Sequence, residues 1–301
     1  MVAGHRETQY SDRPRGGKGQ VLSKTTEPGY KHFPNYPSIN GEYPLLGPGD
    51  PPPFMTYNDN GKAPVLLVAD HASRFFPAGL NQLGLADWVL ERHVAWDIGS
   101  DMLTRFLADR LDSPAVLAGF SRLIVDPNRK LDAPSAFTEL SDGISIPGNI
   151  GLDEKQKALR VQSFFKPYHD AITDKLNAFK QRGIVPAVIS VHTCTPVFEH
   201  VVRPWHIGIL WDKDPRISQA FIDHFNQVED ICIGDNEPYS GRHPNDFTID
   251  HHAEAAGLPH MGIEVRQDLV NDMDGARKWA GILANGLEDI LADDKLYCPL
   301  V

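Results

Sequence analysis

Four short polar clusters follow directly on apolar runs that read as strands, and their side chains are those of hydrolytic chemistry. Asp70-His71 follows Val65–Ala69, Asp126-Pro127-Asn128-Arg129 follows Leu123–Val125, His192-Thr193 follows Ala187–Val191, and Glu264 lies inside the run Met261–Val265, next to Arg266. In open α/β sheets, ligands bind outside the carboxyl ends of the strands, so these are the places where a site is expected. Two imidazoles and one carboxylate can hold a metal and leave a position for water, the plan of a catalytic zinc site. His71 and His192 are the candidate imidazoles. Asp97, in His93-Val94-Ala95-Trp96-Asp97, is the preferred carboxylate, with Glu91 and His93 as substitutes. The competing reading is two hydrogen-bonded strand-end histidines with no metal.

Arg122 and Arg129 bracket the run Leu123–Val125, which reads as a strand. Guanidinium forms bidentate hydrogen bonds to carboxylate, so the pair suits an anionic substrate. Alternatively, Asp126 caps a turn and Arg129 pairs with it at the surface. Glu264 stands between Ile263 and Val265. A carboxylate so poor in water is expected to hold its proton to higher pH, as a general base working near neutrality requires. It could equally be half of a buried Glu–Arg pair. His192 and Cys194 are two apart on one strand and point the same way, which would allow a cysteine amidase, although a cysteine is often a plain buried residue.

The elements that position these groups alternate along the chain. Beyond the strands already named, Val116–Leu117 and Ile207–Trp211 read as strands. Helices are expected over Asn81–His93, Trp96–Leu111, Asp153–Gln181 (split or kinked at Pro167), from Pro215 to Val228, and over Asp274–Leu291. Such alternation predicts an α/β fold with a mixed, largely parallel sheet covered by helices. Residues 1–58 differ. They are rich in Gly, Pro and charge and lack a periodic apolar pattern, so they read as an extended arm, draped over the body or over a neighbouring subunit, ahead of one catalytic domain over residues 59–301.

The chain of 301 residues is 41% hydrophobic and carries a formal charge of -11. That charge disfavours nucleic acid and anionic membrane surfaces as partners but leaves room for a small anion held by a local arginine cluster. No apolar run approaches membrane-spanning length and the first residues lack a secretory pattern, so a cytoplasmic location is expected. Three scattered cysteines predict free thiols. Neither a Gly-x-Ser-x-Gly elbow, a P-loop, a His-Glu-x-x-His helix nor a dinucleotide fingerprint is present.

Taken together the segments resemble the N-formylglutamate amidohydrolase family. The resemblance is carried by Asp70-His71-Ala72-Ser73, His93–Ser100, Ser121–Arg129, Ser190–Thr193, and the stretch from Tyr239-Ser240-Gly241 through Thr248, His252 and Gly257-Leu258-Pro259 to Glu264-Val265-Arg266. It covers about residues 63–290. It implies a zinc carboxypeptidase-like α/β fold and a zinc ion, another divalent metal being the alternative, held by His71, Asp97 and His192. It further implies Glu264 as the base and an Asn128-Arg129 clamp for the substrate carboxylate, assisted by Arg122, with Arg266 and His252 as further substrate-binding residues. Zinc peptidases place their acidic ligand three residues after the first histidine. That position is Arg74 here, so Asp97 takes its place. The implied activity is hydrolysis of a small anionic N-acyl amino acid, N-formyl-L-glutamate first, with another N-acyl amino acid or a short peptide as the alternative.

Overall fold

The computed structural model describes residues 43–300. Residues 1–42, most of the expected arm, lie outside the described residues. The remainder of that arm is packed: Leu46 is buried in the core, and Phe54–Tyr57 forms strand β1. The chain continues through β2 (Val65–Ala69), α1 (Asp87–Leu90), α2 (Ser100–Leu111), β3 (Ala115–Ala118), a hairpin of β4 (Leu140–Ser141) and β5 (Ile144–Ser145), α3 (Glu154–Arg160) and α4 (Lys166–Gln181). It then runs through β6 (Ala187–Cys194), a second hairpin of β7 (Val197–Phe198) and β8 (Val201–Val202), β9 (Ile207–Leu210), α5 (Ser218–Phe225), β10 (Ile233–Asp235), α6 (Thr248–His252), β11 (His260–Arg266) and α7 (Met273–Leu291).

Seven strands form one sheet in the order β1-β3-β2-β6-β11-β9-β10. Neighbours are parallel except where β1 meets β3 and β11 meets β9, so the sheet is mixed and largely parallel, as expected. Side chains alternate faces along each strand. Val65, Leu67 and Ala69, with Ala187, Ile189 and Val191, pack against Leu103 and Leu107 of α2, Phe221 of α5 and Trp279, Leu283 and Leu287 of α7. Leu66, Val68, Val116 and Val188 pack on the other face, against Phe164 and against Tyr168, Ile172 and Phe179 of α4. Among the described residues, no helix is long and apolar enough to cross a membrane.

Several local expectations change. Instead of one helix over Asn81–His93 there is a 3-10 segment, Ala78–Gly84, followed by the single turn α1. Asn81, Gln82 and Leu83 have positive φ, which no α-helix can contain. Leu123–Val125 is not a strand but a run of turns. Its carbonyls at Leu123 and Ile124 accept from Asn149 Nδ2 (2.9 Å) and Arg160 Nη1 (2.8 Å) rather than from a neighbouring strand. The helix from Asp153 begins with a capping box, Asp153 with Gln156. It passes through one π-helical turn, Val161–Phe165, ahead of Pro167, so the proline is accommodated by a widened turn instead of a break.

Candidate active site

Strand parity collects the chemistry on one face. On β6 the face opposite Ile189 and Val191 carries Ser190, His192 and Cys194; on β11 it carries Gly262 and Glu264. Register places Glu264 beside His192 and Gly262 beside Ser190. His71 follows β2, one strand over. His71, His192 and Glu264 therefore meet at the carboxyl ends of β2, β6 and β11.

Asp97 joins them from the loop ahead of α2. Its backbone N–H donates to the His71 carbonyl (3.0 Å), and Thr193 N–H donates to its Oδ2 (3.3 Å). Gly99, with φ 87°, turns the chain into α2; a Cβ there would overlap the Val270 carbonyl. Nδ1 of His71 and of His192 lie 3.4 and 3.0 Å from Asp97 Oδ2, and the three residues can present ligand atoms all within 4.8 Å of one another. The substitutes are engaged elsewhere: Glu91 pairs with Arg74, and His93 Nε2 lies 3.2 Å from Asp142.

The second ring nitrogens also face carboxylates. His71 Nε2 lies 2.8 Å from Asp126 Oδ1, and His192 Nε2 lies 3.2 Å from Asp70 Oδ2 and 2.9 Å from Ser190 Oγ. Each imidazole thus has a carboxylate at both nitrogens. A neutral ring has one N–H, so its other nitrogen faces a carboxylate oxygen, a contact satisfied by a second proton or by a cation bound between them. Ligand atoms around one tetrahedral zinc, at bonds of about 2.0–2.1 Å, stand roughly 3.3 Å apart. The Asp97–imidazole separations match that spacing, and carboxylates behind both histidines are the usual support of metal-bound imidazole. The donor set fits the implied metal.

The buried carboxylates and imidazoles set each other's charge. Burial opposes ionisation of Asp97, but His71 and His192 outweigh it and hold the carboxyl well below the usual range. For His192 burial is outweighed by Asp70 and Asp97, and its pKa rises well above the ordinary value. His71 is also raised, Asp126 and Asp97 prevailing over burial and Arg122. Glu264 is different. Burial is the main cause of a pKa pushed up to about 7, and its Oε2 has no hydrogen-bond partner among the described residues. It faces a cavity of about 340 Å³ also lined by His71, Asp97 and His192.

Asn128 and Arg129 line the same cavity. Asn128 Oδ1 accepts from Phe247 N–H (3.2 Å) and Thr248 N–H (3.0 Å), which leaves its amide N–H groups as what it can offer a ligand. Arg129 Nη1 donates to Asp246 Oδ1 (2.7 Å). Arg122 is in the wall too, but its guanidinium spans Asp126 (2.7 Å) and Asp97 (3.3 Å) and orders the two carboxylates that hold His71. Arg266 and His252 are not brought into the cavity. Arg266 donates to Asp268 (2.8 Å) and the Arg203 carbonyl (3.2 Å), and His252 Nε2 sits 2.9 Å from His169 Nδ1 in the layer beneath. Cys194 lines the cavity, yet burial and then Glu264 push its thiol pKa far up, and both nitrogens of His192 are already taken up. That arrangement disfavours a thiolate.

Four contributors carry no role in the sequence reading: Asp70, Asp126 as support for His71, and Arg203 and Arg242 beside Tyr239. The aspartates adjoin recognised motifs; nothing near Arg203 in the sequence marks it.

Residues 63–271 match the family model for N-formylglutamate amidohydrolase. A gene product of Agrobacterium tumefaciens of known crystal structure is similar, with 31% identity over 83% of this chain and 99% of that one, and a TM-score of 0.80. The crystal structure of an N-formylglutamate amidohydrolase from Ralstonia eutropha shares the fold, at 19% identity over 79% of this chain and 95% of that one, with a TM-score of 0.56. No curated protein gives a match.

Proposed function

The chain belongs to the N-formylglutamate amidohydrolase family, an amidohydrolase of linear amides, and from that premise we propose that it converts N-formyl-L-glutamate and water to formate and L-glutamate, with one zinc ion held by His71, Asp97 and His192. The observation that carries the reading is the buried His71–Asp97–His192 group beside Glu264, which lines the cavity and whose buried Oε2 has no hydrogen-bond partner among the described residues.

When bound, the ion would acidify a water molecule and polarise the formyl oxygen. Glu264 takes a proton from the water as its oxygen attacks the formyl carbon. It then delivers that proton to the nitrogen as the C–N bond breaks. Burial raises its carboxyl above the usual range, which suits a group that takes up and returns a proton. Arg129 and the Asn128 amide hold the α-carboxylate of the substrate, fixing the amide against the centre. Arg122 acts behind them by keeping Asp97 and Asp126 ionised and in place.

Formate release from N-formyl-L-glutamate, measured alongside metal content, tests the reading. We expect about one zinc per chain, activity lost to a chelator and activity restored by zinc. A zinc-loaded protein that releases no formate would end the substrate assignment, and full activity in verified metal-free protein would end the metal assignment.

A further inference from the structure

The cavity wall also holds a group that the reaction above does not use. The turn after β10 carries Tyr239, and the same stretch runs on to Asp246, which holds Arg129. Behind Tyr239 is Arg203, only 6% exposed and paired with no carboxylate among the described residues. Its Nη1 donates to Thr195 O (3.3 Å) and Oγ1 (3.2 Å), its Nη2 donates to Tyr239 Oη (3.0 Å), and it stacks on Phe198 and Tyr239. A buried guanidinium without an anion is costly, and the rings and neutral oxygens around it compensate only in part.

Tyr239 lines the cavity, and because its oxygen accepts from Arg203, its own O–H remains to be donated; none of its described hydrogen bonds uses it. Arg242, three residues on, also lines the cavity. Its nearest carboxylate, Asp212, is 3.6 Å away, and its guanidinium lies over Trp211. The loop that carries it is held down: Gly241 N–H donates to Asn236 Oδ1 (2.9 Å), and Gly241 packs so closely on the Trp211 backbone that no Cβ would fit.

Building on the proposed function, we propose that Tyr239 and Arg242 bind the second carboxylate of the substrate, the one on its side chain, and that Arg203 is the positioning residue that aligns and polarises the Tyr239 hydroxyl. With Asn128-Arg129 on the α-carboxylate, the site then reads both carboxylates of the amine portion of the substrate. This selects N-acyl dicarboxylic amino acids over neutral ones.

The test compares N-formyl-L-glutamate with its neutral isostere N-formyl-L-glutamine, as the ratio of kcat/KM, in the wild type and in Tyr239→Phe, Arg242→Gln, Arg203→Met and Arg203→Lys. Binding of both compounds to the wild type is measured by calorimetry. We expect the wild type to favour the glutamate compound at least tenfold, as a charge-assisted hydrogen bond would give. That ratio should fall about tenfold in Tyr239→Phe, Arg242→Gln and Arg203→Met and be partly recovered in Arg203→Lys. Tyr239→Phe and Arg242→Gln keep the test valid if Arg203→Met does not fold. An unchanged ratio, or equal losses on both compounds, overturns the subsite. If the wild type hydrolyses neither compound, the proposed reaction fails; a binding preference for the glutamate compound that Tyr239→Phe abolishes would still support the subsite, and equal binding would overturn it.

Discussion

Glu264 and His192 are neighbours across two strands, yet the same chemical change should affect them differently. Glu264→Gln keeps shape but removes the basic oxygen, so kcat should fall about 10²–10⁴-fold while zinc content and KM stay near wild type. His192→Gln removes a ligand and should release the metal. Metal analysis with steady-state kinetics on both variants checks this; a Glu264→Gln protein without zinc would make Glu264 a ligand. Arg129 invites a second test. It is held by Asp246 at 2.7 Å, so a substrate carboxylate meets a guanidinium that is oriented in advance. A charged hydrogen bond of this kind is worth about 1.5–3 kcal/mol. Arg129→Met should therefore cut kcat/KM for N-formyl-L-glutamate about tenfold to a hundredfold, and that for its α-amide much less. Equal losses would make Arg129 structural.

The elements beneath the site carry constraints of their own. Gly99 begins α2 at φ 87° with the Val270 carbonyl against it. Gly99→Ala combines a left-handed penalty of about 1–2 kcal/mol with a backbone overlap. It should lower the melting temperature and, by moving Asp97, lower zinc content; a melting temperature and zinc content like the wild type would refute the account. Between α4 and α6, His169 Nε2 lies 3.0 Å from Pro127 O, so it must carry hydrogen there; its Nδ1 then accepts from His252 Nε2 at 2.9 Å. Both rings are neutral in this arrangement. Burial is the largest cause that lowers them, to about 4 for His169 and about 3 for His252. In the unfolded chain both would titrate near 6.5. Below that pH the unfolded state takes up protons that the folded state refuses. Stability is therefore full above about pH 6.5 and is lost as pH falls toward 4. Between pH 6.5 and 5 the wild type should lose about 1–2 kcal/mol more than His252→Gln, each pK unit being worth 1.36 kcal/mol. Urea unfolding across that range would show it, and superimposable pH profiles would sink it.

Over the whole molecule, the net charge of -11 coexists with a cavity wall holding Arg122, Arg129 and Arg242. Local placement of arginine, not the total charge, sets what the site attracts. The boundary of the body follows from packing. Leu46 is 7% exposed, β1 covers the edge of β3, and Gly119 has no side chain because Pro52 and Pro53 lie on it. Removing residues 1–58 would uncover the β3 edge and delete a buried leucine, a change costing at least about 2–5 kcal/mol. The truncated protein should melt well below the full chain; an unchanged melting temperature would place the boundary elsewhere.

Strand-end polar groups, period-two alternation on β6 and β11, and the helical periodicity of α4 and α7 are local properties, and all could be read along the chain. They made His71, His192 and Glu264 recognisable and implied an α/β sheet, because side-chain direction on a strand follows from the backbone alone. Other features needed the fold. Asp97 is the preferred ligand in the sequence, with Glu91 and His93 as substitutes in the same short stretch, and what separates them is a contact distant in sequence: Asp97 reaches His192 across 95 residues. The 121–129 segment mimicked a strand because Leu123–Val125 is apolar, but the partners of its carbonyls come from Asn149 and Arg160. Only the fold shows that Asp97 and Asp126 share the Arg122 guanidinium, and nothing near Arg203 in the sequence marks it. In each case the deciding partner lies on another element, and sheet order with loop closure determines which groups meet.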